Sequence, residues 1–191
     1  FVSVESHLLK DKMLGKFQVR NIDYHFAIST KPVTVGQFQS FMNDPSGRHN
    51  GRSAPSMGEG PDCPVCPISI SSLAMAFEYC NWLSDQDGLP HFYQLEAGKV
   101  VATNPAATGY RLPTEAEWAW AARQVDTEAP LRFPWGSSLP PPDRHGNYAD
   151  RSAAHLVGRI IFGYNDNHIV AAPVATFAPN VKGLFDLSGN V

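Results

Sequence analysis

Tyr110-Arg111-Leu112-Pro113-Thr114-Glu115-Ala116-Glu117-Trp118 decides the reading of this chain. Thr114 followed three residues later by Glu117 is a capping box. The threonine hydroxyl takes the Glu117 N–H, and the glutamate carboxylate returns to the Thr114 N–H. A helix therefore starts here and runs to about Arg123, with Trp118, Ala121 and Ala122 expected on its buried side. Upstream, Arg111 is expected to make a structural ion pair beneath the box. Glu115 and Glu117 are two residues apart and do not face one another, so they do not form the paired carboxylates of a hydrolase.

Outward toward the N-terminus, residues 71–84 read as a second helix capped by Ser71 or Ser72. Leu73, Ala76, Phe77, Cys80 and Leu83 recur at helical spacing and predict a core-facing stripe, with Cys80 as a small buried apolar residue. A short helix is expected over Val35 to Met42, with Thr34 as its N-cap and Phe38, Phe41 and Met42 on one face. Loose alternation from Lys16 to Ser29 predicts one or two strands with a turn near Arg20-Asn21. His91 to Thr103 reads as a hairpin turning near Glu96-Ala97-Gly98-Lys99. Asn43 to Pro67 is rich in Gly, Pro, Ser and Asn and reads as a long surface loop.

Toward the C-terminus, the chain after Arg123 is mostly irregular. It still carries Phe133, Trp135, Tyr148, Phe162, Tyr164, Phe177 and Phe185, so these loops are expected to be packed. Packed loops need partners for their backbone groups, and a bound cation is one common solution.

Composition sets the outer limits. The 191 residues are 43% hydrophobic and 17% charged, the profile of an ordinary globular chain. A formal net charge of −3 and the lack of a dense Lys/Arg run argue against nucleic-acid binding through a basic face. No apolar run approaches the roughly 18–20 residues of a membrane helix. Three cysteines, Cys63, Cys66 and Cys80, are too few and odd in number for a disulfide-framed scaffold. Cys63-Pro64-Val65-Cys66 lacks the two further ligands a zinc site needs, and Pro67 follows it directly. A local disulfide, or two ordinary thiols in a loop, is favoured over metal or redox use. No Gly-x-Ser-x-Gly, P-loop or dinucleotide fingerprint occurs.

The ordered motifs together resemble the formylglycine-generating enzyme, or sulfatase-modifying factor, family. They are Lys31-Pro32-Val33-Thr34 with Phe38 and Phe41, Ala76 to Ser84, Tyr110 to Trp118, Phe133-Pro134-Trp135-Gly136, Ala172-Pro173-Val174, and Asn180 to Val191 ending Ser188-Gly189-Asn190-Val191. Cys63-Pro64-Val65-Cys66 departs from the family, where His-Pro-Val is common. The resemblance implies an α+β, C-type-lectin-like fold with two main helices, short strands and long packed loops. It implies one domain over 1–191, truncated at its C-terminal end.

Catalytic members use molecular oxygen and copper, held by two cysteines, to oxidise a sulfatase cysteine in Cys-x-Pro-x-Arg to formylglycine. Those cysteines lie beyond the Gly-Asn-Val motif, so no catalytic residue carries over, and this chain alone is expected to be inactive. The alternative is a non-catalytic binding or structural module of the same family. Structural calcium carries over in part. The first site implies the Asn147 side chain, the Tyr148 carbonyl, Asp166 and the His168 carbonyl, although Arg151 to Gly163 is an insertion between them. A second implies Asp186 with the carbonyls of Gly189 and Val191, plus a glutamate beyond the end. A protein or peptide partner is expected, as is a further chain or segment completing the fold.

Overall fold

The structure is a computed structural model, described over residues 2–4, 8–11, 18–45, 63–70, 72–123 and 130–190. Much of the expected 43–67 loop lies outside the described residues. Three helices and short antiparallel strands in two-stranded sheets make an α+β architecture. The two main helices and the short helix expected over Val35 to Met42 are all present. The described residues fall into two compact units, one of Val33–Pro64 and Ile68–Leu112, the other of Phe1–Pro32, Val65–Pro67 and Pro113–Val191.

The unit of Val33–Pro64 and Ile68–Leu112 holds α1 (Val35–Met42), α2 (Leu73–Gln86), β5 (Tyr93–Glu96) and β6 (Lys99–Thr103). Thr34 caps α1 as expected, and Gln37 closes a capping box with it. Phe38, Phe41 and Tyr79 form the core, with ring centroids 5.2–5.4 Å apart. Trp82 packs on Phe41 and donates its indole N–H to Asp44 at 2.8 Å. The stripe expected on α2 faces the core as far as Cys80, which is buried, and Leu83, which packs against the Phe38–Phe41–Tyr79 cluster, but not at Leu73. Leu73 is 61% exposed, while Tyr79, Cys80, Asn81 and Ser84 are buried. Asn81 and Ser84 extend the buried face because each has a partner well removed along the chain. Asn81 reaches the Tyr93 carbonyl, and the Ser84 hydroxyl donates to Cys80 O and accepts the Tyr110 N–H. The β5–β6 hairpin turns through Ala97 and Gly98, both at positive φ, as its sequence predicts. Arg111 lies over the Phe92 ring and donates to the Leu112 carbonyl.

The other unit holds β1 (Val2–Val4), β2 (Leu8–Asp11), β3 (Gln18–Asn21), β4 (Phe26–Ile28) and α3 (Glu115–Arg123). β1 pairs with β4 and β2 with β3. Arg20 and Asn21, expected near a turn, lie inside β3, and residues 22–25 connect it to β4. The α3 capping box is present in full, with the Thr114 N–H on the Glu117 carboxylate at 2.6 Å and the Glu117 N–H on the Thr114 hydroxyl at 3.2 Å. Ile22, Ala116, Ala119, Trp120, Ala121 and Leu184 form the core. Ala121 and Ala122 are buried as expected, but Trp118, expected beside them, is 42% exposed; Trp120 is a core residue, edge-on to Phe26 and under the Lys182 ammonium. Most loop aromatics pack as expected, but Phe162 is 82% exposed because it sits in the insertion with no ring beside it among those described.

Candidate functional site

The irregular segment 143–190 is held together by short polar side chains gripping backbone, as a helix-poor fold requires. The Tyr164 hydroxyl donates to Gly146 O at 2.7 Å and fixes the turn that carries Asn147 and Tyr148. The insertion closes on itself: the Ile161 N–H donates to Ala149 O at 2.8 Å, so its ends meet and Asp166 returns beside Tyr148. Asp166 then accepts from the Tyr148 N–H and the His168 N–H, each at 2.8 Å. Of the expected first set, Tyr148, Asp166 and His168 are thereby joined, whereas the Asn147 side chain turns to Val170 and Asn190.

A residue that sequence reasoning missed lies at its centre. Asp150 is fully buried and accepts the Asp166 N–H at 2.5 Å. Its other oxygen takes the Ser152 N–H at 2.7 Å, and the Ser152 hydroxyl lies 2.7 Å from that oxygen and 2.6 Å from His168 O. Burial pushes the Asp150 carboxyl up, but the bonds from Ser152 and Asp166 outweigh it and leave it below its ordinary value. Asp166 goes the other way. Burial, reinforced by the neighbouring Asp150 charge, raises it against the two N–H donors. Two carboxylates thus share one node, and no cation among the described residues is among the groups that set their charge state.

The second expected set lies beside the first. Asn190 is buried; its N–H donates to Asn147 O at 2.9 Å, and the Asn147 side-chain amide donates to Val170 O and to Asn190 Oδ1. Asn190 also holds Ala172 and touches Asp186. Asp186 accepts the Ala175 N–H at 2.8 Å, and burial raises its carboxyl against that bond, Asn190 and Lys31. Gly189 has φ +81°, and a Cβ there would stand 2.2 Å from Asn147 O. Val191 lies outside the described residues. The pocket beside Asp186, lined by Trp135, His145, Asn180 and Ser188, is water-sized at about 20 Å³.

Among the described residues no group of three or more His, Cys, Asp or Glu is poised to hold a metal. The donors at the node are two carboxylates with amide and carbonyl oxygens, which is hard-oxygen chemistry: it suits calcium and not copper or zinc. Copper has no thiolate pair to bind among the described residues. Cys63 and Cys66 are disulfide-bonded, and Cys80 is the free, buried cysteine. No helix among the described residues is long and apolar enough to cross a membrane.

A fold of few regular elements, with its long C-terminal loops tied by Asn and Asp side chains, defines a sulfatase-modifying-factor type of domain. The family model for the sulfatase-modifying factor enzyme 1-like domain matches residues 11–191, and the chain belongs to that family. It is 42% identical over 85 residues to a formylglycine-generating enzyme of Thermomonospora curvata, covering 44% of this chain and 25% of that protein. It is 37% identical over 115 residues to one of Streptomyces coelicolor, covering 56% of this chain and 33% of that protein. The chain thus spans a third or less of the length of these two relatives. A crystal structure of CarF superposes with a TM-score of 0.67 at 24% identity, over 100% of this chain and 77% of that one, which shows the fold.

Proposed function

We propose that this chain is the calcium-held scaffold of a formylglycine-generating oxidase, whose parent protein oxidises a sulfatase cysteine to formylglycine. What carries the reading is the Asp150–Asp166 node, together with identity to two proteins named for that activity. Asn147, Tyr148, Asp166 and His168 would hold the ion, with Asp150 orienting Asp166, and Asp186 and Gly189 belonging to a second site. Calcium would supply positive charge beside the buried Asp150 and the half-buried Asp166. The chain's own residues bring the 146–148, 164–168 and 186–190 loops together and fix their backbone, so a protein substrate would meet a rigid surface.

A second reading is a non-catalytic binding module of the same fold, since Cys63 and Cys66 are disulfide-bonded, Cys80 is buried, and none of the three stands at the family's catalytic positions. One assay separates the two. The full-length parent protein is incubated with copper, oxygen and a peptide containing Cys-x-Pro-x-Arg, and the product is examined by mass spectrometry and aldehyde-selective labelling. Conversion of the cysteine to an aldehyde supports the oxidase. Peptide binding without conversion establishes the module.

A further inference from the structure

Cys63 and Cys66 lie in a Cys-Pro-Val-Cys segment and are disulfide-bonded. A bridge across two intervening residues is a poor staple. The stabilisation a disulfide gives through the unfolded chain grows with the loop it closes, and this loop is close to the shortest possible. Other features set it apart from an inert link. Cys66 is buried, whereas Cys63 is half-buried and followed by exposed Pro64 and Val65, so an incoming thiol has one accessible side. The Cys66 sulfur stands 3.9 Å from the Ala171 carbonyl. A disulfide sulfur carries no hydrogen to give that acceptor, but a thiol does. The Val174 N–H donates to Val65 O at 2.9 Å, a bond that does not depend on the S–S link and keeps the segment seated when it opens.

We propose that Cys63–Cys66 is a thiol–disulfide exchange site for a dithiol reductant, opening and closing within the folded protein. The dithiol's thiolate attacks the Cys63 sulfur. The S–S bond breaks, a mixed disulfide forms on Cys63, and Cys66 leaves as a thiolate that takes a proton and turns its S–H to Ala171 O. The reductant's second thiol then attacks its own sulfur in the mixed disulfide and releases Cys63 as a thiol. Two electrons and two protons pass to the protein, and the dithiol becomes a disulfide. Ala171 precedes Ala172, whose N–H and carbonyl are both held by Asn190, so the change is felt at the edge of the Asn147–Asn190 contact. The exchange chemistry stands independently of calcium binding and of catalysis by the parent protein.

The test compares reduction by dithiothreitol in the native protein and in urea, quenching with N-ethylmaleimide and counting adducts by peptide mass. The expected result is that Cys63 and Cys66 become labelled together, at a native rate within tenfold of the urea rate. Cys80 stays unlabelled, far-UV circular dichroism is unchanged, and amide exchange at Ala172 is altered. A native rate more than tenfold slower, or reduction accompanied by loss of the circular dichroism signal, would overturn the proposal. The rate comparison uses the wild-type chain, so it stands whether or not a Cys63→Ser/Cys66→Ser variant folds.

Discussion

The Asn190 side chain pairs with the Ala172 backbone on both of its edges: Oδ1 accepts the Ala172 N–H at 2.7 Å, and Nδ2 donates to the Ala172 carbonyl at 3.1 Å. An amide side chain here does what a neighbouring strand does in a sheet, in a region that has no strand. Ala172 is fully buried, so neither of its groups can turn to water. Asn190→Ala strands both, and the expected cost is about 2–6 kcal/mol at roughly 1–3 kcal/mol per unsatisfied group. A urea titration at constant m-value reads it. A loss under about 0.5 kcal/mol, the range of an ordinary surface substitution, would show that the pairing is not what holds the loop.

Gly189 answers a different demand. Its φ is +81° and an added Cβ would meet Asn147 O at 2.2 Å, a backbone atom that cannot swing aside. Gly88, at φ +65° with nothing within 4 Å, separates conformation from collision. Gly88→Ala should cost about 1–2 kcal/mol from the left-handed backbone alone. Gly189→Ala should cost clearly more, roughly 3 kcal/mol or beyond, by the same titration. Equal losses would mean that the loop yields freely at Asn147.

Cys80 lies in a buried position on α2, and burial pushes its thiol from 9.0 up to about 12. The folded value is raised, so the protonated thiol's contribution is fully present below pH 9 and is lost as pH climbs toward 12. Tyr79, also raised by burial to about 12, acts in the same direction. At pH 8 the thiolate is only about one part in ten thousand, so native Cys80 should resist maleimide and react promptly once unfolded. Unfolding free energy should fall above pH 9, and more shallowly in Cys80→Ala. Fast native labelling would contradict a buried Cys80.

How much of this was legible in the sequence depends on the separation between partners. The Thr114–Glu117 box and the Ala97-Gly98 turn join residues next to or three apart from one another, and both appear where their sequences place them. On α2 the burial of Cys80 was legible, but that of Asn81 and Ser84 was not, because they look like surface residues until their partners Tyr93 and Tyr110 are known. Trp118 and Trp120 are equally apolar on the page; only the position of Phe26 and Lys182 selects Trp120 for the core. At the candidate site, Asn147 and Asp166 came from the resemblance. Asp150 makes an ordinary local bond to the Ser152 N–H, but its partner Asp166 lies 16 residues away. The insertion that hid the relation is the same loop that closes at Ala149–Ile161 and creates it.

The central claim is that Asp166, oriented by Asp150, holds calcium together with Asn147, Tyr148 and His168, and thermal unfolding of metal-stripped protein with and without calcium tests it most directly. The account predicts a higher transition temperature with calcium, equivalent to about 2.7 kcal/mol when the ion is at a hundred times its dissociation constant. EDTA should reverse the gain, and Asp166→Asn or Asp150→Asn should abolish it. Superimposable wild-type curves with and without calcium, or an equal gain in both variants, would contradict the claim.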